Sequence, residues 1–258
     1  MSPGTATYLY CLLRHAAPDP PAADGVPAGL PDASAPRLLA VQDGLWLVAC
    51  RVPLAVSGEA ALARHLEDLE WVSARALAHE AVVEHFIDAG ALVPMKLFTL
   101  FANDERALAH VRGDRRQLEQ ILDRVAGRQE WGVRVSYEPG RAARAAPTPD
   151  PAPAPASGRD FLLRKQRERD ASRLTPASGR EAADAAHHDL AARAADCRRR
   201  DSVLGPRVLL DCAYLVDRGD RQGFEAAVEA AAQRLRDAQC ELTLTGPWPP
   251  YNFAGERA

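Results

Sequence analysis

Apolar and polar positions change their period several times along this chain, and each change marks an element. Residues 7–13 (TYLYCLL) are β-branched and aromatic, which predicts a strand. A loop rich in proline, aspartate and glycine follows to Ala35. Residues 38–41 and 45–52 are apolar runs on either side of Gln42-Asp43-Gly44, and the Asp-Gly step predicts a hairpin. Helical periodicity begins after Ser57-Gly58, and Asp68 has the placement of an N-cap. From there Leu69, Val72, Ala76, Val83, Phe86 and Ile87 follow helical spacing, which assigns them to the inward face, with Gly90 as the stop. Residues 92–101 return to a strand-like run whose Pro94 suits a strand start or edge. Leu108, Val111, Leu118, Ile121, Leu122 and Val125 predict one or two further helices, and residues 131–137 (WGVRVSY) an alternating strand that closes the domain.

The pattern then stops. Residues 139–158 read PGRAARAAPTPDPAPAPASG, a stretch that lacks backbone donors for helix or sheet and has almost nothing to bury. A semi-rigid, solvated linker is expected there. The resulting division is an α+β N-terminal domain over residues 1–138, a Pro/Ala-rich linker over 139–157 and a second domain over 158–258. That second domain opens with charge-dense helical sequence to about Arg200, broken near Thr175-Pro176 and Gly179. Residues 208–216 and 240–245 read as strands flanking a helix with the stripe Phe224, Val228, Ala231 and Leu235, an order that fits half of a ferredoxin-like layer. The final GPWPPYNF, residues 246–253, is too proline-rich for helix or central strand and is expected to lie extended.

Composition narrows the function. The 258 residues are 47% hydrophobic and 26% charged, which is globular composition and excludes wholesale disorder. The net charge of −3 supplies no field that would draw the whole chain to nucleic acid or anionic lipid. No apolar run reaches the ~20 residues of a membrane span, and residues 1–10 lack a basic segment followed by an apolar one, so a cytoplasmic protein is expected. The cysteines Cys11, Cys50, Cys197, Cys212 and Cys240 are scattered, with no C-x-x-C pair, so reduced, buried thiols are expected rather than zinc or disulfides.

Candidate chemistry fails on spacing. Residues 79–85 (HEAVVEH) invite a metalloprotease reading, but zinc needs histidines at i and i+4, and that position from His79 is Val83. His79 instead sits in the apolar seam of its helix, as a hydrogen-bonded packing residue does. His187-His188 reads as a solvated pair, and Ser57-Gly58, Ser157-Gly158 and Ser178-Gly179 as turns or caps. Neither a phosphate-binding glycine loop nor a nucleophile elbow is present. Arg164, Lys165, Arg167, Arg169 and Arg173, with Arg198-Arg199-Arg200, are interleaved with acids, which favours self-paired helix faces over a nucleic-acid stripe. No catalytic residue, cofactor or metal ligand is therefore assigned. The aromatic tail remains: Trp248, Pro249, Pro250, Tyr251 and Phe253 either clasp the chain's own surface or dock a partner.

Read in order, several segments resemble the gas vesicle protein F/L (GvpF/GvpL) family. They are Tyr8-Leu9-Tyr10, the helix from Asp68-Leu69-Glu70-Trp71 to Glu84, Val93-Pro94-Met95-Lys96 with Thr99-Leu100-Phe101, and Glu130 to Val135 (EWGVRV). Gly158-Arg159-Asp160-Phe161-Leu162 with Lys165 and Arg169, Ala213-Tyr214-Leu215-Val216, and the ending from Thr245 to Phe253 complete the set. Two departures stand out. The family usually has Phe-Gly where this chain has Leu97-Phe98, and Asn where it has Asp211.

The resemblance implies a non-catalytic accessory protein in gas vesicle assembly, located at the gas vesicle and in the cytoplasm. Its implied partners are the small hydrophobic shell protein GvpA and other vesicle accessory proteins, with no role for membrane or nucleic acid. It also implies an α+β N-terminal domain and a modified ferredoxin-like C-terminal domain with inserted helices. The competing expectation is a ferredoxin-like enzyme or small-ligand protein whose site is assembled from residues distant in sequence.

Overall fold

A computed structural model describes residues 4–15, 21, 24–42, 44–138, 177–200 and 207–255. The linker 139–157, the 158–162 motif, the basic residues from Arg164 to Arg173 and the Thr175-Pro176 break lie outside the described residues. The chain is mixed α and β, as expected, and divides into two compact units: residues 1–129 with 247–258, and residues 130–246.

Unit 1 is built on a sheet of strands β1 (Thr5–Arg14), β2 (Arg37–Gln42), β3 (Leu45–Pro53), β4 (Ala91–Pro94) and β5 (Leu100–Phe101). The order is β2-β3-β1-β4, with β5 also on β1, and β1 runs antiparallel to β3, β4 and β5. The hairpin anticipated at residues 42–44 joins β2 and β3. Gly44 takes φ +69°, and a Cβ there would come within 2.8 Å of the His15 carbonyl, so glycine is required at that turn. Among the described residues this unit has the α-helices α1 (Leu54–Ser57), α2 (Glu59–His65), α3 (Leu69–His85), α4 (Asp104–Gly113) and α5 (Arg115–Val125). Asp68 caps α3 by accepting from the Glu70 and Trp71 amides, as its position predicted.

The inward face of α3 differs from expectation. Arg75, His79, Val82, Val83 and, just past its end, Phe86 are buried, whereas Leu69 is 79% exposed. Hydropathy alone placed Leu69 inside; instead His79 meets Tyr8 of the sheet, and Arg75 is buried over Trp71 and paired with Asp32. The expected strand over 92–101 is also interrupted, into β4 and β5, by a turn in which Phe98 adopts φ +65°.

Unit 2 contains β6 (Arg128–Tyr137), α6 (Ala177–Ala191), β7 (Asp196–Arg199), β8 (Val208–Asp217), α7 (Arg221–Asp237) and β9 (Cys240–Trp248). The sheet order is β7-β8-β6-β9. A β-α-β-β-α-β chain with the last strand beside the first is the split β-α-β, ferredoxin-like arrangement. Its core joins Trp131, Val133, Val135, Cys212, Tyr214 and Val216 of the sheet to Leu190 of α6 and to Phe224, Val228, Ala231 and Leu235 of α7. The α7 stripe is the one its spacing predicted.

Three expectations change here. The strand at 131–137, expected to close the first domain, is an inner strand of the second sheet, so the Pro/Ala segment falls within the chain of unit 2. A composition break marks where a segment has little to bury, which is not always where a fold ends. Residues 196–199 form strand β7 rather than helix, since Arg198 pairs with Ala213 of β8 and the sheet supplies the backbone partners. The 246–253 segment continues β9 through Trp248 and then closes into a 3₁₀ turn at Tyr251–Phe253. Its prolines are tolerated because β9 is an edge strand and the turn is short.

Candidate functional site: an apolar surface groove and a buried polar cluster

The sequence assigned no catalytic or metal-binding residues. Among the described residues no cluster of three or more His, Cys, Asp or Glu side chains has metal-binding geometry. His79 and His85 are on different faces: His79 is buried, and His85 is exposed at the end of α3. All five cysteines are free. Among the described residues no helix is long and apolar enough to cross a membrane.

His79 belongs to a buried cluster on the α3 side of the unit 1 sheet. Alternate residues of β1 share one face, so Tyr8 and Tyr10 both point toward α3. The Tyr8 hydroxyl lies 2.6 Å from His79 Nδ1, and Tyr10 stacks on the imidazole at 5.5 Å between centroids. The Tyr10 hydroxyl donates to Cys50 Sγ at 3.4 Å and accepts from the Leu30 amide at 3.0 Å. Gly29, at φ +79°, leaves room for that hydroxyl, since a Cβ would collide with it. Burial pushes the His79 pKa down to about 4, against a weaker opposing pull from the Met95 carbonyl, and the ring is neutral at pH 7. Burial likewise raises the pKa of both tyrosines and of Cys11 and Cys50, so none is a ready nucleophile. The cluster is a packing and hydrogen-bonding device.

Unit 2 holds a smaller counterpart. His187 Nδ1 lies 2.7 Å from the Tyr214 hydroxyl, so His187 is a half-buried partner rather than half of the solvated pair expected. Asp211, where the family usually has Asn, is buried and accepts from Arg200 Nε at 2.9 Å and Arg134 at 3.1 Å. Those arginines are held in ion pairs on the sheet, not arrayed along a helix.

The 247–253 segment packs within unit 1. Pro249, Pro250 and Phe253 are buried, and Trp248 and Tyr251 are 39% and 37% exposed. The Tyr251 hydroxyl donates to Glu80 Oε2 of α3 at 2.7 Å, and Arg124 of α5 reaches the Phe253 carbonyl at 3.5 Å.

Unit 1 also carries an apolar surface groove of about 510 Å³. Leu54 and Ser57 of α1, Leu62 and Ala63 of α2, Leu66, Ala6 of β1 and Leu100 of β5 are among its lining residues. Leu54 and Leu66 are 46% and 52% exposed there, and just beyond the α2–α3 turn Leu69 and Leu77 are more exposed still. With Leu54 and Leu66 half exposed at its wall, the groove is an apolar surface of the kind that marks an interaction site. Sequence reasoning did not find this groove, because its residues come from three separate stretches of chain.

An α+β protein with an apolar surface groove and a ferredoxin-like second unit is the class these features define. The family model for gas vesicle synthesis protein GvpL/GvpF matches residues 6–255. The chain is 35% identical to gas vesicle protein L of Streptomyces sp. (strain CB03234) over 228 residues, covering 85% of this chain and 83% of that one. It is 31% identical to gas vesicle protein F2 of Halobacterium salinarum over 177 residues, 67% of this chain and 63% of the relative. The crystal structure of GvpF from Anabaena sp. PCC7120 superposes with a TM-score of 0.66 at 16% identity, covering 98% of each chain, and therefore shares the fold. The chain belongs to the GvpL/GvpF family of gas vesicle proteins.

Proposed function

We propose that the protein is a non-catalytic accessory factor in gas vesicle assembly that binds the hydrophobic shell protein GvpA and other vesicle proteins, in the cytoplasm and at the growing vesicle. Family membership supports the setting, since the matching family is described by gas vesicle synthesis. The observation that carries the binding role is the groove, with Leu54 and Leu66 half exposed at its wall. Subunits of a gas-filled shell are strongly apolar and aggregate unless their surface is covered, and an apolar groove on a carrier covers it reversibly. Deleting the gene in a vesicle-forming host tests the role. Loss or malformation of vesicles, restored by the intact gene, is expected together with co-purification of GvpA; normal vesicles in the deletion strain would refute it.

The proposal assigns Trp248, Pro249, Pro250, Tyr251 and Phe253 to an intramolecular clasp on unit 1. Supporting it are the burial of Phe253 and the Tyr251–Glu80 hydrogen bond. Truncation after Gly246 should lower the unfolding midpoint. An unchanged midpoint with loss of partner binding would make the segment a docking peptide instead.

A further inference from the structure

We infer that the groove receives an amphipathic helix of a partner protein, apolar on its inserted face and flanked by lysine or arginine; this rests on the reading above that the protein works by binding other vesicle proteins. The shape argues for a helix. β5, which lines one side through Leu100 and Phe101, is only two residues long. A partner strand added there would find too few backbone donors and acceptors to be held by a ladder. Recognition must come from side chains, and leucines spaced along neighbouring helices suit the i, i+3, i+4, i+7 anchors of a helix laid in a groove.

Charge at the rim selects the flank. Glu59 lines the groove, Glu67 follows the lining residue Leu66, and Glu70 lies in the first turn of α3; all three are exposed. Asp68, between them, is committed to capping α3. Against these acids stands Arg64, whose Nε donates to the Ala60 carbonyl. His65 is stacked on Trp71 at 4.6 Å. Across the groove Ala102 leads into Asp104, which is paired with Arg37 and Arg51, and into Glu105, which is followed by Arg106. The excess at the α2–α3 side is negative. It attracts a basic flank and disfavours both an acidic helix and an anionic lipid surface.

Three synthetic helical peptides with one leucine face decide the matter, their binding to the full chain read by fluorescence anisotropy. One carries lysine flanks, one glutamate flanks, and the third lysine flanks with a central helix-breaking proline. The lysine peptide should bind, the glutamate peptide at least tenfold more weakly, and the proline peptide not measurably. Leu66→Asp should abolish binding. Because a groove variant can also unfold, the exposed triple variant Glu59→Lys/Glu67→Lys/Glu70→Lys is the second arm, and it should reverse the preference between the two flanks. Equal binding of both flanked peptides, binding that survives Leu66→Asp, or binding to phosphatidylglycerol vesicles in place of peptide would overturn the assignment. If the triple variant restores vesicles in a deletion host as fully as the intact gene, and peptide charge is immaterial, the groove assignment falls while the vesicle role stands. Normal vesicles in the deletion host itself would instead remove the vesicle role.

Discussion

In unit 2 the helix-covered face of the sheet is built mainly from Trp131, Val133, Val135, Leu210, Cys212 and Val216, with Phe224 against Tyr214 at 5.7 Å. In unit 1 the corresponding core sets Tyr8, Tyr10 and Cys50 among Ala6, Val48, Val52 and Leu92, and α3 brings His79 to the tyrosines beside Val82 and Val83. The apolar core is held by burial, which is non-directional and tolerates small rotations of a helix. A hydroxyl that must meet an imidazole nitrogen at 2.6 Å fixes the rotation of α3. That rotation also leaves Leu77, about 200° around the helix from His79, in solvent. Unit 1 thus places polar residues inside and leaves leucines of α3 outside.

The largest expected effects come from removing one fully buried phenylalanine from each unit. Phe253 and Phe224 are both fully buried, and truncating either to alanine should cost about 3–5 kcal/mol. Hydrogen exchange read peptide by peptide separates them. Phe253→Ala should raise exchange in residues 4–129, and Phe224→Ala in residues 130–246. A Phe253→Ala variant without effect on unit 1 would detach the 247–253 segment from its fold.

Acid comes next. His79 has its folded pKa lowered to about 4 from 6.5, so between those values the unfolded chain binds more protons than the folded one. Stability therefore rises with pH across this window; the His79 contribution is complete above about pH 6.5 and is lost as pH falls toward 4, by up to roughly 3 kcal/mol. His187 is also shifted downward by partial burial, and by the nearby Arg199, but it is half-buried and should contribute a shallower slope. Unfolding midpoints of His79→Gln and His187→Gln between pH 4 and 7 check this. The first should flatten the curve and the second should change it little.

Removing one hydroxyl sharpens the same contrast. Tyr8→Phe strands His79 Nδ1 in a buried site and should cost about 1–3 kcal/mol. Tyr214→Phe leaves His187 within reach of water and should cost about 1 kcal/mol. Urea unfolding of the two variants measures the difference, and equal losses would mean that His79 is better solvated than its burial implies.

The contrast explains what could be read from sequence. β1, the β2–β3 hairpin, the Asp68 cap and the α7 stripe were legible because each depends on local residues: a β-branched run, an Asp-Gly step, a capping carboxylate, a 3.6-residue period. On α3 the expected face held at His79, Val83 and Phe86 and failed at Leu69, which satisfies the same period but lies in the first turn, where it stays exposed. Residues 196–199 were misjudged because β8 supplies their pairing partners. The groove stayed hidden because Ala6, Leu62 and Leu100 meet only in the folded chain. His79 as a hydrogen-bonded packing residue was foreseen; its partner, 71 positions away, was not.

The smallest effect concerns the position where this chain departs from its family. Phe98 stands where Phe-Gly is usual, and its φ of +65° is the left-handed conformation that glycine adopts without cost. The ring offsets part of that strain by stacking on Trp71 at 5.7 Å, with the Arg75 guanidinium 3.7 Å from the same indole. Two substitutions separate the terms. Phe98→Ala loses the stack and keeps the strained backbone, whereas Phe98→Gly loses the stack and relieves the strain. The glycine variant should therefore be the more stable of the two by about 1 kcal/mol, and should lie within about 1 kcal/mol of the parent. Thermal unfolding of the pair gives the sign. An alanine variant as stable as the glycine variant would mean that the turn relaxes out of the left-handed region once the ring is gone, and that the Trp71 stack, rather than the chain path between β4 and β5, imposes the conformation.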